Sequence, residues 1–245
     1  MKVIIFNFAI ISIISTFNIN SQTVEPSTGV DQNNLQIELE SIYSIQKEAH
    51  QKIKSWSTPS ILFRYGFINN VELQLNIPVI KEQLYENKHL IHSLHKFDDI
   101  QVGFSVNLLK QHKFMPEAAL MVRAIITTNN KLNSLGKIIS LNLSNNLSKS
   151  LSLNYNIGYI LETTKHSSSY FIANISYELN DKVHLFVEDF IDFSETVLLS
   201  NNLTTGIGYN INENFCLDIS ISNGINHDMF YVGGILSWNI NLTKS

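Results

Sequence analysis

The chain has 245 residues, a formal net charge of −4 and only 16% charged residues, which excludes a polybasic nucleic-acid surface and an acidic disordered tail. Hydrophobic residues make up 44%, and glycine and proline are scarce, so the composition excludes a helical membrane protein and a low-complexity chain. The single cysteine, Cys216, excludes an intramolecular disulfide.

The first residues have the pattern of an export signal. Lys2 precedes an apolar run, 3–17, that is too short to span a bilayer comfortably. Small and polar residues follow, with a cleavage point predicted between Ser21 and Gln22. Residues 1–21 are therefore predicted to be a signal peptide, and an uncleaved membrane anchor is the alternative.

Strands dominate the rest of the chain. Residues 22–34 are polar and are predicted to be a flexible N-terminal segment, whereas 35–245 alternate between apolar and polar residues, as strands with two unlike faces do. The clearest run, 71–79, has apolar residues at its odd-numbered positions and mostly polar ones between them. Strands are predicted in this way near 35–45, 56–66, 70–80, 98–109, 114–127, 138–145, 149–161, 168–178, 182–191, 200–209, 214–222 and 230–242.

The joins between these strands predict the architecture. Short joins rich in Asn, Asp and Ser alternate along the chain with mostly longer joins, such as 46–55 and 81–97. An outer-membrane barrel has short periplasmic turns, longer outer loops and an even number of strands. The predicted fold is therefore all-β, a transmembrane antiparallel outer-membrane β-barrel of about 12 strands over residues 35–245. A soluble secreted all-β protein is the alternative.

The polar face of the strands is predicted to line the barrel lumen. Arg64 and Glu72 flank a short turn on neighbouring strands, so they can pair inside the barrel. An arginine facing lipid at mid-depth costs about 2–4 kcal/mol, which favours the interior. The residues predicted to line the lumen are Arg64, Glu72, Gln74, Asn76, Gln101, Asn107, Arg123, Glu188 and Asp218. Their charges either brace the wall as a salt-bridge network or form a selectivity ring.

Histidines are the residues with the best case for other chemistry. His89, His92 and His95 recur at a spacing of three in the predicted loop 81–97. Three imidazoles can bind a transition metal, but the apolar residues between them equally favour a short loop helix over the barrel mouth. His166 stands beside three serines, but no motif supports a rim enzyme. We therefore predict no metal site, no catalytic residue and no cofactor.

Two segments resemble a known family. Residues 57–75 (STPSILFRYGFINNVELQL) read as a proline-led strand ending in Arg-Tyr-Gly, a tight turn and a strand opening with Glu-Leu. Residues 179–190 (LNDKVHLFVEDF) read as a short Asp turn and an alternating strand. They resemble the outer-membrane transporter family named after meta-cleavage phenol degradation, which is related to pores that secrete functional-amyloid subunits. The resemblance implies an outer-membrane barrel with a transport role and leaves the substrate open.

The predicted function is an outer-membrane transporter or pore for a small solute or an exported polypeptide. Its expected partners are outer-membrane lipid and the transported molecule, without nucleic acid. A structural or adhesive barrel with a closed lumen and partner-binding loops is the alternative. Exported chains that live in a membrane as strands must close into barrels, which places the protein in the outer membrane.

Overall fold

The computed structural model describes residues 24–128, 135–194 and 197–243, so the predicted signal peptide lies outside the described residues. No helix in these ranges is long and apolar enough to cross a membrane. The strands are β1 (Asn34–Glu48), β2 (Gln51–Ile68), β3 (Val71–Ile77), β4 (Val79–Glu86), β5 (His89–Phe97), β6 (Ile100–Leu109), β7 (Glu117–Ile126), β8 (Leu135–Asn146), β9 (Leu151–Leu161), β10 (Ser167–Asn180), β11 (Val183–Ser194), β12 (Val197–Asn212), β13 (Phe215–Gly224) and β14 (Asp228–Asn241).

The strands form one antiparallel sheet that closes into a barrel. Closure joins β1 to β14, from the pair Asn34–Asn241 to the pair Lys47–Asp228. β3 and β4 both pair with β2 and are separated only by Pro78, so they form one wall strand. β5 and β6 continue each other in the same way, because they pair with β4 and β3. The 14 strands less these two joins make 12 wall strands, which confirms the predicted fold.

The two ends of the barrel differ in how they are built. The end at which β1 begins and β14 ends, which we call the terminal rim, has the joins 69–70, 110–116, 147–150, 181–182 and 213–214. The opposite end, which we call the far rim, includes the joins 49–50, 87–88, 162–166 and 225–227. Because each wall strand runs opposite to the one before it, an even number of strands brings the start of β1 and the end of β14 to the same rim.

Two long loops predicted at the far rim are wrong. Residues 46–55 are the ends of β1 and β2 around a two-residue turn, and 81–97 form the hairpin β4–β5. His89, His92 and His95 therefore lie on an exposed strand, and the predicted loop helix is wrong as well. Alternation fades from the sequence here because both faces of a strand can be polar beyond the apolar belt, while backbone pairing continues.

The outer face of the barrel forms an apolar belt. Side chains alternate between the two faces along every wall strand, and those turned outward are largely aliphatic. Exposed members of this belt include Leu73, Val102, Phe104, Leu141, Ile157, Ile175, Val187, Leu203, Ile207, Ile219 and Ile221. At the terminal rim Phe215 stacks on Trp238 with 5.4 Å between ring centroids. Apolar belts edged by aromatic rings match the lipid and interface regions of an outer membrane.

The β4–β5 hairpin lies beyond the membrane span. A tilted strand crosses a bilayer with about 9–11 residues. In β2 the 11 residues nearest the terminal rim are 58–68, and the part that pairs with β4, 51–57, lies farther from that rim. Glu82 lies on this hairpin. Burial raises the pKa of its carboxyl to about 7, Asp98 raises it as well, and Lys96 opposes the shift.

We expect the hairpin to be more stable at acidic pH. The folded pKa of Glu82 lies above its unfolded value, so the stabilising contribution is complete below the unfolded pKa and is lost as the pH rises through about 7. Proteolysis of the hairpin, normalised to an unfolded reference peptide at each pH, should speed up from pH 5 to pH 8. Glu82→Gln should flatten this profile and Glu86→Gln should not; equal profiles for both variants would contradict the prediction.

Candidate functional site in the barrel lumen

All nine residues predicted to line the lumen have side chains that point into the barrel. Seven of them are buried, whereas Asn76 and Asp218 are partly exposed. Gly103 makes room for the long side chain of Arg123, because a Cβ on Gly103 would lie 2.8 Å from Arg123 Cγ. Arg123 therefore passes across β6, and its Nε donates to Gln74 Oε1 on β3 at 2.6 Å. That these residues line a solute path stays a prediction.

The predicted pairing of Arg64 with Glu72 is present. Arg64 Nε and Nη2 lie 3.0 and 2.7 Å from Glu72 Oε1, and its Nη1 lies 3.4 Å from Glu38 Oε1. Gln74 Nε2 also donates to Glu72 Oε1. Glu72 is fully buried. Two N–H groups of Arg64 thus share one oxygen of the buried Glu72, and charge-assisted hydrogen bonds of this kind are roughly twice as strong as neutral ones.

Residues 24–33 occupy the lumen, and we call them the lumen segment. The prediction treated them as a flexible lead-in, but the structure places them across the barrel. The segment starts against β11 and reaches the terminal rim at β2, where Gln32 forms a bridge with Gly66 and Asn33 N donates to Gly66 O at 2.8 Å. A Cβ on Gly66 would lie 2.0 Å from Asp31 O, so this close approach requires glycine.

Buried wall side chains hold the backbone of the lumen segment. At its start, Val24 N donates to Glu188 Oε2 at 2.9 Å. Asn156 makes two bonds to Glu25: its Oδ1 accepts from Glu25 N at 2.7 Å, and its Nδ2 donates to Glu25 O at 2.9 Å. The Asn156 amide thereby pairs with the N–H and the C=O of Glu25, as a neighbouring strand would, so both backbone groups are hydrogen-bonded away from bulk water.

Three further strands bind the lumen segment. Arg123 Nη2 lies 2.7 Å from Glu25 Oε1 in a largely buried ion pair. Asn107 Nδ2 donates to Ser27 O at 2.9 Å. Val30 N donates to Glu72 Oε2 at 2.8 Å. Most of these bonds use the backbone of the segment, which leaves no pattern in its side chains and explains why sequence reasoning missed them.

An apolar cluster fills part of the interior. Its members come from β7, β8 and β10, and Val24 of the lumen segment packs against it. The buried members are Met121, Ile125, Ile138, Tyr170 and Ile172. The expectation of a polar inner face is wrong for this part of the wall, because contact among inward side chains favours apolar packing wherever water is excluded. The signal was in the sequence, since 118–126 is apolar on both faces apart from Arg123.

The described interior of the wall carries more acidic than basic side chains. The inward acidic residues, with the one on the lumen segment, include Glu25, Glu38, Glu72, Glu188, Asp192 and Asp218, whereas the inward arginines are Arg64 and Arg123. An excess of one sign in a narrow, low-dielectric passage attracts counter-ions and repels ions of the same sign.

A closed barrel of 12 antiparallel strands, with an apolar belt outside and an interior narrowed by charged, polar and apolar side chains, defines an outer-membrane β-barrel with the fold of channels and porins. The chain belongs to the family described as "Putative MetA-pathway of phenol degradation", whose model matches residues 21–239. The predicted membership of the phenol-degradation family is confirmed. No curated protein sequence matches the chain.

Solved structures share the fold at very low sequence identity. The COG4313 outer membrane channel from Pseudomonas putida F1 matches with a TM-score of 0.66 at 8% identity, over 89% of this chain and 100% of that chain. The KdgM porin in complex with disordered oligogalacturonate gives 0.55 at 10%, over 81% and 97%. The translocator domain of the autotransporter NalP from Neisseria meningitidis gives 0.55 at 9%, over 97% and 95%. Similarity at such low identity shows a shared fold alone, and the function depends on the side chains inside the barrel.

Proposed function

We propose that the protein is an outer-membrane channel for a small solute, and that the lumen segment narrows the path of the solute through the barrel. The observation that carries this proposal is the row of contacts from Glu188 through Asn156 and Arg123 to Glu72, which holds residues 24–33 across the lumen. A segment held across the lumen in this way narrows it, and the proposal requires that part of the cross-section stays open. Outer-membrane lipid surrounds the apolar belt in this proposal.

An exported polypeptide is a poorer candidate for the transported molecule. A lumen that already holds one extended segment would have to release it before admitting another. This argument weighs against a relation in function to pores that secrete amyloid subunits, and the name of the similar COG4313 channel supports a channel role. A closed adhesive barrel is the remaining alternative, and it predicts that the lumen stays shut when the segment is removed.

Single-channel recording in planar bilayers tests the proposed function. The refolded chain should give small but resolvable current steps, because the lumen segment leaves only part of a narrow 12-stranded lumen free. Silence from the intact chain together with silence from a folded variant that lacks the segment would contradict the proposal. Heat-modifiable mobility on gels shows whether each variant has folded.

We expect the current to be cation-selective. The acidic excess of the interior predicts a cation permeability several-fold above that for chloride, measured from reversal potentials in a salt gradient. Glu38→Gln should lower this ratio, because Glu38 lies inward and is partly exposed. Glu213→Gln, in an exposed turn of the terminal rim, serves as the control. Anion selectivity, or equal effects of the two substitutions, would count against this assignment.

A further inference from the structure

We propose that His184, Cys216 and Asp218 form a binding site for a divalent transition-metal ion inside the terminal rim. One ligand atom from each residue lies within 4.8 Å of the others. The three are partly buried and face the lumen close to its opening, so an ion can reach them from water. Neither the channel role nor the family membership calls for such a site.

Glycine brings the ligands together across a strand. His184 on β11, Gly208 on β12 and Asp218 on β13 occupy one row of the sheet. Strands two apart lie about 9.5 Å from each other, which normally separates such side chains. A Cβ on Gly208 would lie 1.9 Å from His184 Cε1 and 2.3 Å from Asp218 Oδ1, so both side chains lie over the glycine. Cys216 precedes Asp218 by two residues and points inward with it.

The distances between donors lie near those of a tetrahedral site. His184 Nε2 lies 3.0 Å from Asp218 Oδ1, and Cys216 Sγ lies 3.8 Å from Asp218 Oδ2. Ligands of a tetrahedral zinc ion, at about 2.0–2.1 Å for nitrogen and 2.3 Å for sulfur, stand about 3.3–3.6 Å apart. The two observed distances lie on either side of this range but end on different oxygens of Asp218, so the side chains must rotate to place one ligand atom each around an ion.

One buried oxygen of the same carboxylate adds to this geometry. Asp218 Oδ1 is buried and makes no aligned hydrogen bond with any described residue, although its distance to His184 Nε2 meets that of an ion pair if the histidine is protonated. Buried carboxylate oxygens without an aligned donor are rare and call for an explanation. A shared cation provides one, since the lone pairs of both atoms then point at the ion rather than at each other.

The donor set selects the type of ion. A thiolate and an imidazole favour zinc and similar first-row ions over magnesium or calcium, which prefer oxygen alone. Three protein ligands leave a fourth position for water. Glu178 stands opposite His184 in the register and adds a carboxylate to the same row. We therefore assign the site to a borderline divalent ion, with Zn²⁺ and Co²⁺ as the probes.

Titration of the refolded full barrel with Co²⁺ tests the site. Because Cys216 is the only cysteine, a thiolate-to-cobalt charge-transfer band can arise from this residue alone. We expect one such Co²⁺ per chain, displaced by Zn²⁺, and protection of Cys216 from alkylation by Zn²⁺. Cys216→Ser should abolish the band, and His184→Ala should weaken Co²⁺ binding by more than about tenfold, since even the loss of a residue that only supports a ligand costs about 10–100-fold.

The controls separate the site from other histidines and from the channel role. His227→Ala, on the far rim, should leave the band unchanged, and Gly208→Ala should weaken it by forcing His184 and Asp218 apart. Absence of the band in the folded unsubstituted barrel, with no protection of Cys216, would overturn the proposal and leave a His184–Asp218 ion pair only. Channel conductance is measured separately, so failure of either proposal is visible without the other.

Discussion

Deletion of residues 24–31 is expected to raise the single-channel conductance of the barrel several-fold. The deleted backbone crosses the lumen, and its loss leaves Glu188, Asn156 and Arg123 in contact with water. The wall itself should remain folded, because the segment adds no strand to the closed sheet. The measurement is the size of unitary current steps in planar bilayers at a fixed salt concentration.

Two matched variants sharpen this test. Glu25→Gln removes the ion pair with Arg123 but keeps both backbone bonds to Asn156, so it should lengthen or multiply open events without reaching the conductance of the deletion. Replacement of residues 24–31 by a Gly-Ser stretch of equal length should give an intermediate conductance. If the folded deletion variant conducts no better than the intact chain, the wall side chains close the lumen and the adhesive alternative gains.

Arg64→Met is expected to lower the free energy of unfolding by about 3–5 kcal/mol, as happens when one partner of a buried ion pair is removed. Glu72 is fully buried and would keep only the Gln74 amide and the Val30 N–H as donors. Urea titration of the refolded barrel in lipid vesicles, followed by tryptophan fluorescence, measures the loss. The double variant Arg64→Met with Glu72→Leu should recover most of it, because the fully buried carboxylate is then gone and Glu38, which also loses Arg64, stays partly exposed to water.

An exposed ion pair supplies the control for this prediction. Lys47 Nζ lies 3.3 Å from Asp228 Oδ2 at the far rim, with both side chains more than half exposed. Lys47→Met should therefore cost at most about 1 kcal/mol. Similar losses for Arg64→Met and Lys47→Met would mean that water in the lumen screens the Arg64–Glu72 pair as well as it screens the rim.

The strands of the barrel wall and the family of the protein could be predicted from the sequence, because both depend on local patterns. Alternation survives wherever one face meets lipid and the other meets the interior, which is why β3 and β6 were clear. The pattern fails in 46–55 and 81–97, because strands beyond the lipid belt need no apolar face. The inward orientation of Arg64 and Arg123 also followed from local cost, since lipid excludes a guanidinium.

The contents of the lumen were decided only by the tertiary structure. Residues 24–33 are held mainly through their backbone, and backbone hydrogen bonds carry no sequence signature. The cluster of His184 and Cys216 depends on strand register and on Gly208, which lets side chains from β11 and β13 meet over β12. Alternation along a single strand determines which face a residue takes, whereas closure of the barrel determines which residues meet across it.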